Sequence, residues 1–469
     1  MARVIFLQRI WHEFGGPEII SAVLKKYGHE PELFIDKSPD TLFGKIQPDD
    51  IVAFSTMTGE HHWALKAAGK IKNKIKVLTV FGGPHPTYFP ELINHPAVDI
   101  VCRGEGEFAM LDLANAYDQG ADFANIPNLL VKCGNGTKIK ENEVRPLIYD
   151  LDTLPFPDRG IYYKYRLLRK SPLKTFMASR GCPFSCSFCF NEKLRSIYSH
   201  KGRYVRFRSP RNLINEIQET DSQYGLKSIY FVDDLFVFNP GWLREFTSIY
   251  KKEIKKTFVC SANINTLNEE VIRLLKDSGC SAVSFGIETG NEILRCQLFN
   301  KRFTNNQVEK IARLLKKYKL KCMAFNIIGL PGETTENALE TIQLNIKIGV
   351  EYPRCSILTP YPGTRIAERL KEKIKIDDIY SAYQQFEISF QAPNPKELYN
   401  LHCFFQTAVI FPGSLWLIKR LIRLPPNILF KFWWAIIYFY IFIKSEARSP
   451  AQTLACVFKT FGFAFKKRA

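Results

Sequence analysis

Three cysteines fall within eight residues, Cys182, Cys186 and Cys189, in the stretch SRGCPFSCSFCF. A structural zinc site takes four protein ligands, and no further His or Cys stands close by to supply the fourth. A cubane [4Fe–4S] cluster also normally takes four thiolates. Held by three, one of its irons keeps an open position, able to grip a small molecule by its amine and carboxylate. The competing readings are a degenerate zinc knuckle and thiols that merely pack.

The elements around the triplet decide where such a site would sit. From Lys174 onward six apolar runs read as strands: KTFMASRG, SIYFVDD, TFVCSAN, AVSFGIETG, CMAFNIIGLPG and RCSILTPYPG. Helical patterns such as NLINEIQETDSQYG, EEVIRLLKDSG and NNQVEKIARLLKKYK separate them. Six such units are too few to close an eight-fold barrel, so a partial one is expected. Barrel chemistry sits at the carboxyl ends of the strands, and the cysteines follow the first of them.

The first 140 residues alternate in the same way. VIFL, ELFID, IVAFS, VLTVFGG and VDIVCRG read as strands, and PEIISAVLKKYG, WALKAAGKIKN and FAMLDLANAY as helices. That order predicts a doubly wound parallel sheet whose ligands lie beyond the carboxyl ends of its strands. The loops there are STMTGEHHW, GGPHPT and RGEGE. A charged, proline-containing linker over 141–171 joins this unit to the barrel, 172–391. A basic, aromatic-rich helical tail, 392–469, ends the chain.

Bulk properties fit this organisation. Of 469 residues, 46% are hydrophobic and 24% charged, which suits an ordered globular chain with a large core. Twelve cysteines are too dilute for a disulfide scaffold, and the nine outside the triplet are expected to be mainly core thiols. MARVIFLQRIWHEF lacks a long apolar core and a small-residue cleavage site, so no secretory signal is expected and a reducing cytoplasm is the expected compartment. The net charge of +19 is concentrated at the C-terminal end: Ile410 to Ala469 hold ten Lys/Arg against Glu446 alone. The longest apolar run there, Phe432 to Ile443, has twelve residues, where a spanning helix needs about 20. Bounded by Lys431 and Lys444, it reads as interfacial or buried. With Trp416, Trp433, Trp434, Lys419, Arg420, Arg423 and Lys466-Lys467-Arg468, the tail matches an anionic membrane surface; a helix docked on the barrel is the alternative. Nucleic acid fits less well, since no RNA-binding module is recognised.

CxxxCxxC with an aromatic before its last cysteine, here Phe188, resembles the signature of the radical S-adenosylmethionine (SAM) enzymes. The resemblance implies that the open iron chelates the methionine part of SAM. An electron from the reduced cluster then cleaves the sulfur–C5′ bond, and the 5′-deoxyadenosyl radical abstracts hydrogen from an unactivated carbon. Other loops agree. FVDDLF offers Asp233 and Asp234 to the cofactor amine or the substrate, although an aspartate pair there also suits helix capping. SFGIETG offers Glu288 to the ribose hydroxyls, IIGLPGET brings backbone near Gly329 to adenine, and LTPYPGT matches a sixth-strand loop.

FSTMT, VFGGPHPTYFPE, DIVCRGEGE and LDTLPFPDRG together resemble the cobalamin-binding branch of that family, related to the anaerobic magnesium-protoporphyrin monomethyl ester cyclase. The implied fold is a Rossmann-like cobalamin domain, a (β/α)6 barrel and an α-helical extension. The resemblance points to Ser55, Thr58, Gly82, Gly83 and His85 as cofactor contacts, with His61 and His62 in the same loops. It departs from the Asp-x-His-x-x-Gly cobalt-ligand motif: Ile10 stands where the aspartate would orient His12, so His12 is not expected to ligate cobalt. The implied reaction is methyl transfer or cyclisation at an unactivated carbon, with flavodoxin or ferredoxin as electron donor; where the tail meets a membrane, a small or lipid-like substrate is expected. Two alternatives remain, a methylthiotransferase-like RNA modification and a non-catalytic cobalamin- or membrane-binding protein. The first would want a second cysteine set, yet only Cys102 and Cys133 precede Cys182.

Overall fold

Two mainly parallel sheets organise the chain. The computed structural model describes residues 1–134, 136, 138–370, 392–446 and 454. The first sheet contains β1 (Arg3–Gln8), β2 (Glu30–Ile35), β3 (Ile51–Ser55), β4 (Leu78–Gly82), β5 (Ile100–Cys102), β6 (Leu129–Cys133) and β7 (Lys138–Glu141). Its order is β2-β1-β3-β4-β5-β6-β7, parallel through β5 and antiparallel over β6 and β7. The alternating apolar runs account for the parallel part. The antiparallel edge departs from the all-parallel expectation: β7 is fully exposed and polar, so its sequence reads as linker. Helices Gly15–Lys26 and Glu107–Asp118 pack on one face, over Val4, Phe6, Leu33 and Val80, and His61–Lys72 covers the other over Ile5, Val52 and Phe81.

The second sheet is the expected partial barrel. β8 (Leu173–Phe176) continues into a short hairpin of β9 (Ser179–Arg180) and β10 (Arg206–Phe207). β11 (Ser228–Phe231), β12 (Thr257–Ser261), β13 (Cys280–Glu288), β14 (Lys321–Ile328) and β15 (Tyr352–Ile357) follow, all parallel, in the order β8-β11-β12-β13-β14-β15. Local signals fix the βα units: Ser209, Asn239, Asn268, Asn291, Thr304 and Thr334 each cap a helix through the side chain. One face of each strand packs outward on these helices, with Phe176, Phe231, Phe258, Phe285 and Ala324 in the core. The opposite face lines a concave lumen.

Helices Pro395–Ile410, Leu415–Leu421 and Ile428–Glu446 follow. Ile437 and Ile441 of the last close the lumen floor over Val259, Ala282, Met323 and Tyr352. Lys431 and Lys444 lie inside this helix, so it is longer than its uninterrupted apolar run. Ile428–Ser445 is long and apolar enough to cross a membrane by length and composition, with a mean hydropathy of 1.5 and 11% of it buried. Of the eight described cysteines outside the triplet, Cys102, Cys260, Cys280, Cys322 and Cys403 are buried, Cys133 and Cys355 half-buried and Cys296 exposed. Cys456, Lys466-Lys467-Arg468 and residue 391, the expected end of the barrel, lie outside the described residues.

Candidate functional site

The three cysteines share one loop at the carboxyl end of β8, closed by helix Asn191–Ile197. Gly181 opens it at φ 86°, and a Cβ there would lie 2.5 Å from the Tyr204 carbonyl oxygen, so glycine is required. Arg195 Nη2 donates to the carbonyls of Cys182 (2.7 Å) and Phe184 (3.0 Å). Asn300 Nδ2 donates to the Ser185 carbonyl (3.0 Å), and Ser187 N–H to that of Phe299 (3.1 Å). The loop is thus fixed through its backbone, and its thiols are half-buried and free of disulfides. Burial pushes Cys182 and Cys186 up to about 11. Arg195 and Lys301 are the cations that oppose this. A soft metal coordinating the thiols would ionise them outright.

This donor set suits an iron–sulfur cluster, which takes one thiolate per iron. Among the described residues no three His, Cys, Asp or Glu groups converge on a single-ion site. Asn191, not singled out by its sequence, donates from N–H and Nδ2 to Cys189 Sγ at 3.5 Å each. Its side chain also reaches Asp234, which is exposed at the rim. Phe188 packs edge-on against Phe299 at 5.0 Å.

The neighbouring loops differ in what they offer. Asp233, one of the expected cofactor contacts, is 4% exposed, and its carboxylate accepts from Ala178 N–H (3.1 Å) and from Ser179 Oγ. It ties β9 to the end of β11, and burial pushes its carboxyl up to about 6. Glu288 ends β13 at φ 65° and forms a buried ion pair with Lys301 at 2.7 Å. Lys301 Nζ also donates to the Gly286 carbonyl, and both charged groups act electrostatically on the Cys186 thiol. Nothing local in NKRF marks Lys301; its partner is 13 residues away. Gly329, at φ 75°, donates its N–H to Glu333 Oε2 at 2.6 Å, and Leu330 adds a second at 3.0 Å. Part of the backbone expected at adenine is therefore spent on Glu333, which is fully buried and pushed up to about 7 by that burial. The Glu in GLPGE was the available signal for it.

In the first domain, a crevice lined by Gln8, Arg9, Phe14, Ser55, Met57 and Glu60 opens at the carboxyl ends of β1 and β3, where strand order reverses. That is where doubly wound sheets take ligands, so the crevice lies at the position expected for a ligand of this domain. Gly83, at φ 92°, lets the β4 loop lie on Thr56: a Cβ would come within 2.9 Å of its backbone nitrogen and 3.1 Å of Ser55 Oγ. Gly82 pairs with Ser55, its carbonyl accepting the Thr56 N–H. His85, another expected cofactor contact, is 2% exposed and stacks on His61 at 3.8 Å. Thr58 Oγ1 meets His85 Nδ1 at 3.1 Å, and His61 meets His62 at 3.9 Å. Burial and mutual repulsion push His61 down to about 2 and His85 to about 4, so the stack is neutral. His12 is exposed, edge-on to Phe14.

RGEGE, expected to face ligand, instead joins the two domains. Glu105 accepts from Arg180 (2.9 Å) and Arg206 (2.8 Å), and Glu107 accepts from Arg180. Burial would raise the Glu105 carboxyl, but Arg180 and Arg206 hold it at about 2. Gly104, at φ 72°, leaves room for the Tyr198 hydroxyl, which accepts the Glu105 N–H at 2.7 Å. From GGPHPTYFPE, Tyr88 stacks on Phe190 at 4.2 Å, directly after Cys189. The first domain therefore roofs the cysteine loop.

Known proteins resemble the chain in both halves. The B12 binding domain matches residues 7–114 and the Radical SAM superfamily residues 177–345. The uncharacterized methyltransferase PH0819 of Pyrococcus horikoshii is 34% identical over 330 residues, 69% of this chain and 70% of that protein. The anaerobic magnesium-protoporphyrin IX monomethyl ester cyclase of Rubrivivax gelatinosus is 28% identical over 412 residues, 80% and 71% of the two chains. Among solved structures, the cobalamin-dependent SAM radical enzyme OxsB with aqua-cobalamin bound shares the fold at a TM-score of 0.67 and 16% identity, over 99% of this chain and 76% of that one.

Proposed function

Because the chain belongs to the radical SAM superfamily, in the branch that carries a B12 binding domain, we propose that it transfers a methyl group to an unactivated carbon of a lipid-like substrate. Its cofactors are a [4Fe–4S] cluster, SAM and cobalamin. When bound, they supply a 5′-deoxyadenosyl radical and a transferable methyl group.

The observation that carries the reading is the roofed loop: three free, half-buried thiols beneath Tyr88 and Phe190. Cys182, Cys186 and Cys189 hold the cluster. Glu288, paired with Lys301, accepts from ribose hydroxyls, and Asp234 faces the SAM amine or the substrate. Glu333 shapes the Gly329 loop at adenine. Tyr88 and Phe190 exclude water from the reacting carbon. Ser55, Thr58 and the Gly82–Gly83 turn border the corrin crevice, while His85 supports that turn from behind. Residues 1–140 thus serve cobalamin, 172–391 the radical chemistry and 392–469 substrate access.

An apolar substrate fits the lumen, where Met177, Val232 and Phe325 are exposed. It also fits a peripheral membrane contact from the cytoplasmic side. Trp416, Leu417, Ile428, Leu429, Phe432 and Ile436 are exposed on the C-terminal helices. Lys419, Arg420, Arg423 and Lys431 lie among them, and no acid occurs between Glu397 and Glu446. Reducing equivalents come from a flavodoxin- or ferredoxin-type donor. Cyclisation is the second reading, favoured by the similarity to the monomethyl ester cyclase.

Anaerobic turnover with SAM, reductant and cobalamin tests the proposal. Deoxyadenosine together with S-adenosylhomocysteine supports methyl transfer, and deoxyadenosine without S-adenosylhomocysteine supports cyclisation. Absence of deoxyadenosine from protein that holds its full iron complement overturns both, with Cys182→Ala as the blank.

A further inference from the structure

The concave face of the half-barrel carries a charge that the cofactor chemistry does not use. Strand alternation places Met177, Val232 and Phe325 on that face, 37%, 46% and 40% exposed. Arg354 of β15 is the registered neighbour of Phe325, which pairs in turn with Gly286, two residues before Glu288. The guanidinium therefore stands on the lumen wall, below the rim that Glu288 occupies and above the floor formed by Met323, Tyr352 and Ile441.

Its surroundings only partly satisfy it. Nη2 donates to Ser445 Oγ at 3.0 Å. The guanidinium carbon lies 5.0 Å from the ring centre of Tyr438 and 6.0 Å from that of Phe442. Nη1 is shut off from water and has no acceptor among the described residues. A guanidinium keeps its charge in any protein setting, so a buried N–H of such a group left without an acceptor is costly. Ring faces compensate only weakly. A role limited to clamping the C-terminal helix explains the rings and Ser445 but leaves Nη1 without a purpose. A ligand carboxylate that displaces the packing over Nη1 would satisfy it, because the guanidinium fork matches a carboxylate in shape and charge.

We propose that Arg354 anchors a carboxylate carried by an otherwise apolar substrate, whose body lies along Met177, Val232 and Phe325. This deepens the functional proposal and rests on its reading of the barrel mouth as the reaction site. The anchor sits deep and the chemistry at the rim, so the carbon attacked is one remote from the acid group.

The test uses the full chain with its cluster reconstituted, at a pH where a fatty acid is ionised. Fluorescence titration compares cis-parinaric acid with its methyl ester. The expected result is that the acid binds about ten- to hundred-fold tighter than the ester, the range for a charge-assisted hydrogen bond. Arg354→Gln brings the acid down to the affinity of the ester, and Arg354→Lys retains part of the gap. Val232→Trp fills the lumen and weakens both probes. Equal affinities for acid and ester in the wild type overturn the proposal, as does failure of both to bind. Binding unaffected by Val232→Trp places the probe elsewhere and also overturns it. A helix clamp predicts instead that Arg354→Gln weakens both probes alike, with a shift in tryptophan emission. Should that variant misfold, the acid–ester gap in Arg354→Lys decides. Deoxyadenosine formation by the wild type is scored separately, so an enzyme that cleaves SAM yet does not distinguish acid from ester loses the anchor and keeps its function.

Discussion

Glu105 and Arg180 are 75 residues apart in the chain and 2.9 Å apart in space. The pair joins the cobalamin domain to the strand that leads into Cys182, and Arg206 shares the same carboxylate. Breaking a buried pair by removing one charge leaves the other uncompensated. Glu105→Gln is expected to cost about 3 kcal/mol, read as a lower thermal midpoint, and to release iron faster from the reconstituted protein. The pH dependence has a definite sign. The folded carboxyl titrates near 2, below its usual 4.5, so its contribution is complete above 4.5 and is lost as pH falls toward 2. Thermal midpoints of wild type and variant should converge over that window.

Each of the three cysteines is needed if each supplies one iron with its protein ligand. Single Ala substitutions at Cys182, Cys186 or Cys189 are expected to lower iron from about four per chain to near zero and to abolish deoxyadenosine. Iron and sulfide analysis after anaerobic reconstitution checks this. The scattered thiols supply a contrast: Cys296→Ala, at an exposed helical position, should leave the iron content unchanged.

Lys301 and Glu288 should differ in what their loss does. Lys301→Met strands a buried carboxylate and is expected to cost about 3–5 kcal/mol. Glu288→Gln keeps an acceptor for Lys301 while weakening the acceptor offered to ribose. It is therefore expected to be milder in stability and to weaken SAM binding about ten-fold. Urea unfolding and equilibrium dialysis of SAM separate the two effects.

How much of this could be read beforehand depends on distance along the chain. The cysteine loop, the six barrel strands and the Glu288 strand end were legible because each is a local pattern of spacing or alternation. The ion pairs of Glu105, Arg180, Arg206 and Lys301 were not, since each needs a partner that only the fold brings near. RGEGE illustrates the limit: its position at a strand end suggested ligand, and the structure uses it to hold the domains together. The histidines show the same limit. His85 was offered as a cofactor contact from its loop position, and its stacking on His61 could not be read from the sequence. The β6–β7 hairpin was hidden because β7 has no apolar face to reveal it.

Glu333 gives a pH response of the opposite sign. Its folded carboxyl is raised to about 7 from the usual 4.5. Between those values the unfolded chain releases a proton that the folded one keeps, so stability is full below 4.5 and falls as pH climbs to 7. Glu333→Gln keeps an oxygen to accept from Gly329 and Leu330 but cannot ionise. The variant should lose this slope and unfold at a higher temperature than the wild type at pH 8, which thermal scans from pH 5 to 8 check.

The C-terminal helices supply the last expectation, a salt-sensitive association with anionic bilayers. Exposed Trp416, Phe432 and Trp433 suit the headgroup level, and each nearby cation adds about 1 kcal/mol on an anionic surface. The pairing of Trp433 Nε1 with Thr407 and the packing of Ile437 on the lumen floor hold one side of the last helix to the protein. A helix docked this way is expected to lie on a membrane instead of crossing it. Co-sedimentation with vesicles containing about a third phosphatidylglycerol should capture the protein, and vesicles of phosphatidylcholine alone should capture much less. Reversing Lys419, Arg420 and Arg423 to Glu should cost at least about 3 kcal/mol of binding, and added salt should release the wild type. Binding that resists both salt and charge reversal would indicate an inserted helix, and equal capture by the two vesicle types would remove the electrostatic argument.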